Sequence, residues 1–497
     1  MTNYSVWPSV PASPRADHVR AIVSEIKRAA LTDQEMSKVL ALGQLYGRLL
    51  WVNSVGIYRD DAFEERLMSL VGSRISPVAQ VPSERILHVV STPYDAGGHT
   101  RLMERLCRFE PELSDVLVSR PYRRDRKSLR LPPDAAVHHS EHGYDLAGLV
   151  HVISKYRIIC LHIHPDDLLA AAAVGISKRQ TGARVIFVNH ADHVFSFGFH
   201  STDIVAEIST FGLTLSHVRR QLPSAFMGIA LDSYSFPPTA RSAVSQQHII
   251  SAAAPHKFRP ANGYSFPSLT VEILKAMPGS TLTVIGPKLS NRWWWWAKLQ
   301  FPRRLRLYPV LPYDRYLDLI SRADIYIDSL PMTGGTALPE IRAKGVAVTG
   351  LWTGALGYTP FDQTKLASRE ILLTELERFF CGDGGHIAST NNMTSLIAQA
   401  RVAHSIDEVG SRFRAIIAGH DVLMPDISAT NHDHGFYERL WQEERVFNLD
   451  RKARREVLAL AADGNAALLR HLLGVAVGWQ KVRLLFAYIV LLARRLS

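Results

Sequence analysis

Residues 327–345 read IDSLPMTGGTALPEIRAKG, and this stretch decides the fold class. The apolar run from Ile325 to Leu330 predicts a buried strand, and the TGGT segment at 333–336 predicts a tight loop. A short helical pattern follows the loop and stops at Gly345. A strand, a glycine loop and a helix in this order are typical of a parallel α/β sheet, in which ligands bind where the strands end.

The glycine loop predicts an anion site. Gly334 and Gly335 carry no side chains, so backbone N–H groups can approach an anion, and a helix that starts near Thr336 points its free N–H groups at the same place. Glu340, one turn into this helix, can accept hydrogen bonds from ribose hydroxyls. Lys257 follows the first strand of the same domain, and its ammonium can neutralise phosphate. We therefore predict a bound diphosphate; the alternative interpretations are a simple Gly-Gly turn and a solvated loop lysine.

The length of 497 residues allows two domains with flanking segments. Strands that alternate with helices indicate two α/β units, each a doubly wound parallel sheet. We predict a helical N-terminal region at 1–80, a Rossmann-like domain at 81–240, a second one at 241–405 and a helical C-terminal region at 406–497. Strands are expected at 86–90, 116–118, 158–163 and 185–188 in the first domain, and at 248–252, 281–285, 305–308, 325–328 and 346–349 in the second.

The composition places the chain among ordinary globular proteins, with 47% hydrophobic and 21% charged residues. Its three cysteines lie far apart in sequence, which predicts neither a disulfide framework nor a metal spacing and favours a reducing compartment. The first residues lack the basic start and apolar segment of a signal peptide. We therefore expect a cytoplasmic protein.

The positive charge of the chain is concentrated in its C-terminal tail. The net charge is +11, and residues 451–497 hold nine Lys/Arg against two acids. Residues 484–493, LLFAYIVLLA, are apolar but too few for a bilayer span, which needs about 20. Two interpretations stay open for residues 466–497: a basic amphipathic helix in the membrane interface, or a terminal helix packed on the body. The tail lacks interleaved aromatic stacking platforms, so we expect no nucleic-acid partner.

The first domain carries a loop of its own after its first strand, at Ser91–Thr100. This loop lacks the full G-x-G-x-x-G pattern of dinucleotide sites. His99, at the start of the following helix, can hydrogen-bond as a neutral imidazole, or it can be a helix-cap histidine. As general base for an acceptor hydroxyl we rank His99 first and Asp192 second, with Asp95 as a further candidate.

Several histidines follow predicted strands. His190 and His193 flank Asp192 after the strand at 185–188, so we expect them at the interdomain cleft, and with His164 they are candidates for the acceptor side. Pairs such as His190/His193 have ligand-like spacing but no third partner near in sequence. We therefore predict no metal site.

Five segments, taken in order, resemble the GT-B glycosyltransferases. They look most like the group that contains the catalytic region of O-linked N-acetylglucosamine transferase and the bacterial adhesin N-glucosyltransferases. The resemblance covers roughly residues 85–360. The segments are 91–103, 254–260 with 278–282, 309–316, 323–340 and 344–349. The implied fold is two Rossmann-like domains that face each other across a cleft.

The resemblance implies roles for the donor-binding residues. Lys257 contacts the donor diphosphate, with Arg259 in the same loop. Gly335 and Thr336 give the diphosphate backbone and hydroxyl hydrogen bonds, beside Gly334.

The resemblance also implies a nucleoside site. Glu340 stands where the family has an Asp on the ribose, and Tyr316 stands where it often has a His beside the base. Leu311 meets the base edge through its backbone, and His99 matches a family histidine near the reacting centre. The chain departs from the family at Glu340, at Gly335 in place of a common His, and in having no superhelical repeat region.

The function expected from these features is sugar transfer from a UDP- or GDP-sugar to a glycan or lipid-linked acceptor, in surface polysaccharide synthesis. No Asp-x-Asp pair follows a strand, so we expect an enzyme that needs no metal. We further expect an inverting reaction and no cofactor. It would act in a bacterial-type cytoplasm, at the inner face of the plasma membrane. The alternatives are a protein O- or N-glycosyltransferase and a non-catalytic nucleotide-binding or membrane-associated scaffold.

Overall fold

The computed structural model describes residues 14–76, 82–94, 98–123, 129–231, 236, 247–382, 390–425, 427, 433, 435–442, 451–463, 465–476 and 479–496. The base candidate Asp95 lies outside these residues. Within them the chain forms two parallel sheets flanked by helices.

Three helices precede the first sheet: α1 (Pro14–Thr32), α2 (Met36–Val52) and α3 (Asp61–Gly72). Apolar residues of α2 recur at helical spacing and are buried, namely Val39, Leu42, Leu45 and Leu49. These helices share one hydrophobic core with the first sheet. The predicted helical prefix is therefore packed into the domain that follows it.

The first sheet has seven parallel strands in the order β3-β2-β1-β4-β5-β6-β7. Its strands are β1 (Ser83–Val90), β2 (Ser114–Val118), β3 (Val137–His138), β4 (Tyr156–His162), β5 (Arg184–Asn189), β6 (Ile204–Glu207) and β7 (Ser224–Phe226). Its helices are α4 (Gly98–Phe109), α5 (Leu146–Ile153), α6 (Leu168–Thr181) and α7 (Thr210–Leu215). The four predicted strands correspond to β1, β2, β4 and β5, which form the centre of the sheet.

The second sheet has six parallel strands in the order β10-β9-β8-β11-β12-β13. Its strands are β8 (Gln247–Ala252), β9 (Ser280–Gly286), β10 (Leu305–Pro309), β11 (Ile325–Ile327), β12 (Ala347–Leu351) and β13 (Lys365–Leu366). Its helices are α8 (Phe266–Ala276), α9 (Trp295–Gln300), α10 (Tyr313–Ser321), α11 (Ala337–Arg342) and α12 (Arg369–Cys381). All five predicted strands of this domain are confirmed.

Further helices follow the second sheet in the described part of the chain, and several of them pack on the first domain. They are α13 (Thr390–His404), α14 (Ile406–Ala418), α15 (Phe436–Gln442), α16 (Arg451–Ala462), α17 (Ala466–Val475) and α18 (Trp479–Leu496). The helix α14 packs against α4 and β6, and α16 and α17 pack against α2 and α1. Among the described residues, no helix is both long and apolar enough to cross a bilayer.

The two sheets meet across a cleft at the carboxyl ends of their strands. Gly98, at the start of α4, approaches Thr336 so closely that a Cβ on Gly98 would lie 2.7 Å from the Thr336 hydroxyl oxygen. The Thr210 N–H donates to the Gly357 carbonyl oxygen across the same boundary (2.9 Å). The loops that follow the strands of both domains therefore line one site.

Candidate active site

The glycine loop after β11 is held from beneath by Asp328. The Thr333 hydroxyl and the Gly334 N–H both donate to the Asp328 carboxylate, at 2.6 and 3.0 Å. A Cβ on Gly334 would lie 2.5 Å from that carboxylate, and Gly335 has a positive φ of 22°. The two glycines are therefore required by close approach and by backbone conformation. The Gly334 N–H points inward to Asp328 and is therefore not directed at an anion in the cleft.

The next two N–H groups of the loop remain available to a ligand. Among the described residues, no protein acceptor is found for the N–H of Gly335 or of Thr336. Thr336 is the N-cap of α11, and its side chain makes no capping hydrogen bond. Both residues line the cleft cavity, and they are the two residues for which the family resemblance predicted hydrogen bonds to a diphosphate.

Lys257 brings a positive charge to the same loop. It lies in a short 3-10 turn after β8, and its ammonium donates to the Thr333 carbonyl oxygen at 2.7 Å. Burial lowers the pKa of Lys257. Lys257 lines the cavity, whereas Arg259 lies outside its lining.

A buried ion cluster connects the glycine loop to the loop that carries Tyr358. The Lys365 ammonium lies 2.8 Å from Asp328 and 2.6 Å from Asp362, and all three side chains are almost fully buried. Asp362 accepts the backbone N–H groups of Gly357 and Tyr358, at 2.8 and 3.0 Å. The cluster therefore fixes two cleft loops relative to each other.

The other end of the cavity is lined by the residues that were predicted for the base and the ribose. The rings of Tyr313 and Tyr316 stack at an interplanar angle of 20°, and Leu311 lines the cavity beside them. Glu340 accepts from the Tyr313 hydroxyl at 2.9 Å, and Arg101 of the first domain lies 3.5 Å from the same carboxylate. The Arg101 guanidinium also covers the Tyr313 ring. The predicted base and ribose residues are thus brought together.

Four histidines of the first domain form a buried cluster behind the cleft. Hydrogen bonds of 3.0 and 3.1 Å join His88 to His162 and His162 to His190. His99 packs its ring edge on His190, with ring centroids 4.4 Å apart. Burial lowers the pKa of all four imidazoles, that of His99 to about 4. At neutral pH the cluster is therefore uncharged.

His99 has a defined tautomer. Its Nε2 lies 2.7 Å from the His162 carbonyl oxygen, which can only accept, so Nε2 carries the proton. Its Nδ1 is buried and has no hydrogen-bond partner among the residues that the structure describes. His190 lines the cavity but His99 does not. His99, the first-ranked base candidate, therefore lies behind the His190 ring and does not line the cavity.

Asp192 and His193 form a pair on the wall of the cavity. The His193 Nδ1–H donates to Asp192 at 3.2 Å, and the same carboxylate accepts from the Ser209 and Tyr358 hydroxyls, both at 2.8 Å. Burial alone would raise the pKa of Asp192, but its hydrogen bonds with His193, Ser209 and Tyr358 lower it. Because His193 donates through Nδ1, the neutral ring carries its lone pair on Nε2, for which no hydrogen-bond partner occurs in the described part of the chain. Tyr437 of α15 supports the imidazole, with ring centroids 4.3 Å apart.

His164, predicted for the acceptor side, lies elsewhere. Its Nδ1 bonds Asp166 at 2.5 Å, its N–H donates to Ser91, and its ring meets Trp51. It is not part of the cavity lining.

The cavity between the domains has a volume of about 360 Å³. It brings together most of the predicted residues, namely His190, Asp192, His193, Lys257, Leu311, Tyr316, Gly334, Gly335, Thr336 and Glu340. Among the described residues, no group of three or more His, Cys, Asp or Glu side chains is arranged to hold a metal ion.

Sequence reasoning missed four residues that shape this site: Arg101, Tyr358, Lys365 and Tyr437. Arg101 lies one turn into α4, so the basic residue after the predicted loop was a usable signal. Tyr358, Lys365 and Tyr437 belong to no recognisable motif, and only the folded chain brings them to the cleft.

Two parallel α/β domains with their carboxyl edges facing one cleft define the GT-B fold, as predicted. HepE of Anabaena, solved with UDP and glucose, has a TM-score of 0.51 and 10% identity over 68% of this chain and 100% of its own. Its complex with UDP-glucose gives a TM-score of 0.51 and 12% identity over 67% and 99%. A mutant O-GlcNAc transferase of Thermobaculum terrenum gives 0.48 and 14% identity over 86% and 84%. No protein-family model and no curated protein sequence matches the chain.

Proposed function

We propose that the protein is a nucleotide-sugar-dependent, metal-independent glycosyltransferase that inverts the anomeric centre. One observation carries the proposal: a single cavity sets a lysine and backbone donors of the second domain opposite a His–Asp pair of the first. HepE, which shares the fold, has been solved with UDP and with UDP-glucose. This supports a UDP-sugar as the donor class.

The donor lies along the second domain. Its diphosphate accepts hydrogen bonds from the N–H groups of Gly335 and Thr336, and Lys257 neutralises its charge. Fixed donors of this kind stabilise a leaving group as it gains charge, and they do not have to reorganise during the reaction. The ribose lies at Glu340 and the base beside Tyr316.

The acceptor hydroxyl is activated by His193. Its Nε2 takes the hydroxyl proton while the hydroxyl oxygen attacks the anomeric carbon from the face opposite the diphosphate. The bond from that carbon to the diphosphate oxygen breaks, and the nucleoside diphosphate leaves with the electron pair. Asp192 holds the imidazole in the required tautomer and stabilises the imidazolium. This assignment replaces the ranking of His99 and Asp192 as direct bases, since His99 is recessed and Asp192 already accepts three hydrogen bonds.

The proposed acceptor is a glycan or a lipid-linked glycan of a surface polysaccharide. The apolar, basic C-terminal helix supports an acceptor near a membrane. Protein glycosylation is the second candidate, and it rests on the resemblance to protein glycosyltransferases alone.

The test is to incubate the protein with UDP-, GDP- and CMP-sugars in the presence of a chelator and to measure nucleotide release. We expect release from a UDP-sugar, accelerated by a suitable acceptor, and loss of release in the His193→Ala variant. A thermal shift with UDP but no release from any donor would instead identify a non-catalytic nucleotide-binding protein. No shift and no release with any nucleotide would refute donor binding altogether.

A further inference from the structure

The helix α18 (Trp479–Leu496) is apolar on two opposite faces. Leu484, Ala487, Tyr488 and Leu491 follow the spacing i, i+3, i+4, i+7 and pack against the hydrophobic core of the first domain. This inner stripe confirms that the helix is docked on the body of the protein. This contact covers one side of the helix, so packing on the body and binding in a membrane interface are compatible.

The outer face carries a second stripe with the same spacing, offset by two residues. It is formed by Val482, Leu485, Phe486 and Ile489. These side chains are 53%, 41%, 69% and 59% exposed, in that order. Two residues correspond to about 200° of helix rotation, so the outer stripe points away from the body. Four large apolar side chains on one exposed face are more than the isolated surface residues of an ordinary soluble surface.

Positive charge borders the outer stripe. Lys481 and Arg483 are exposed and lie on either side of Val482 around the helix. Arg494 and Arg495 follow in the last turn, and the helix sequence contains no acidic residue. The neighbouring helix α16 adds exposed cations at Lys452, Arg454 and Arg455. An apolar stripe bordered by cations is complementary to a surface of acyl chains beneath anionic headgroups.

We propose that α18 binds an anionic bilayer by this outer stripe and lies in the plane of the membrane, with its inner stripe still docked on the protein. The apolar part between Arg483 and Arg494 is ten residues, or about 15 Å at 1.5 Å per residue. That is half of the roughly 30 Å hydrocarbon core, so the helix enters the interface and does not cross the bilayer. The aliphatic stripe inserts among the acyl chains, and Lys481 and Arg483 pair with headgroup phosphates.

Charge also argues against a second copy of the chain as the occupant. Both ends of α18 are basic, so pairing two such helices through the outer stripes would bring cations together in either orientation. No acid of α18 could offset that repulsion.

The binding geometry has a consequence for the cleft. The helix α16 packs with α18 and lies on α2, and its neighbour α17 lies on α1, so α18 is attached to the first domain. Membrane binding through α18 holds the first domain at the bilayer, together with the side of the cavity that carries His193. The second domain stays free to move. The placement of the first domain at the bilayer does not depend on which reaction takes place in the cleft.

The experiment is flotation of the full chain with vesicles of phosphatidylcholine mixed with phosphatidylglycerol, compared with phosphatidylcholine alone. Wild-type protein should float with the anionic vesicles. The double variant Phe486→Glu, Ile489→Glu should lower the partition coefficient at least about tenfold, because each buried apolar side chain contributes roughly that factor or more. Lys481→Gln and Arg483→Gln should each lower it about fivefold at low salt.

The matched control is Trp296→Glu, which changes an equally exposed aromatic residue on α9 of the second domain (68% exposed). It should leave flotation unchanged. All variants change exposed side chains, and equal melting temperatures would establish that they fold. The proposal is overturned if wild-type protein does not float, if the double variant floats as well as wild type, or if Trp296→Glu abolishes flotation. It is also overturned if the chain is a dimer that the double variant converts to a monomer and neither form floats.

Discussion

The ion cluster beneath the glycine loop makes a quantitative prediction. Lys365 is 1% exposed and lies within ion-pair distance of both Asp328 and Asp362. The Lys365→Met variant keeps the length of the side chain and removes its charge, which leaves two buried carboxylates without their cation. Breaking a buried ion pair in this way costs about 3–5 kcal/mol. We expect the variant to lose that much stability and, because the glycine loop loosens, to bind UDP more weakly.

The assay is thermal unfolding of the two proteins at equal concentration, followed by circular dichroism. For a domain of this size the loss corresponds to a melting temperature lower by roughly 6–20 °C. Lys344→Met is the matched control, because Lys344 is exposed just after α11, and it should change stability by no more than about 0.5 kcal/mol. A Lys365→Met protein as stable as the Lys344→Met protein would refute the assigned role of the cluster.

The pH dependence of that difference provides an independent check. Burial alone would raise the pKa of Asp328, but the charge and hydrogen bond of Lys365, together with Thr333, lower it. A carboxyl group with a lowered folded-state pKa stabilises the protein above its unfolded pKa, near 4, and this contribution disappears as pH falls through the folded value. The advantage of wild type over Lys365→Met should therefore be full near pH 7 and shrink below about pH 4. An advantage that stays constant down to about pH 3 would contradict the mechanism.

Three further predictions concern the cavity. Lys257→Ala should weaken UDP binding by about 10–100-fold, because it removes one charge-assisted hydrogen bond. Calorimetry would measure the dissociation constant, and an unchanged affinity would place the diphosphate elsewhere. His193→Ala and Asp192→Asn should each slow transfer at least about 100-fold in an assay with saturating donor, and the UDP dissociation constant should stay unchanged. A transfer rate within a few-fold of wild type would exclude the pair as the general base. Glu340→Gln should weaken UDP binding several-fold but not the binding of 2′,3′-dideoxy-UDP, and equal losses for both ligands would contradict ribose recognition.

The central strands could be predicted from sequence because each contains a short, mainly apolar run. The strands β8, β9, β11 and β12 are largely buried, and their sequences are largely apolar. The edge strands β3 and β13 have two residues each, too few for any periodic signal. The strand β10 is also at an edge, but its five residues were enough for a prediction. Strand length therefore decided which strands could be predicted, and the two-residue strands depend on pairing that only the folded chain supplies.

The candidate site could be located from sequence more readily than its hydrogen bonds could be assigned. The order strand, glycine loop, helix placed Gly335, Thr336 and Lys257 correctly at one edge of the sheet. The direction of the Gly334 N–H depends on Asp328, whose own orientation depends on Lys365, thirty-seven positions later. No local pattern encodes a partner that distant.

The pair His193–Asp192 illustrates the same limit across the two domains. Asp192 was recognised as a cleft residue, but its hydrogen bond from Tyr358 comes from the opposite domain. Asp362 accepts a hydrogen bond from the Tyr358 N–H and forms an ion pair with Lys365. Lys365 also forms an ion pair with Asp328, which lies beneath the glycine loop. A continuous chain of hydrogen bonds and ion pairs thus connects the donor loop to the carboxylate that orients the imidazole. Any opening of the cleft that separates Tyr358 from Asp192 removes one of three hydrogen bonds to a buried carboxylate, so the base is fully oriented only when the domains are closed.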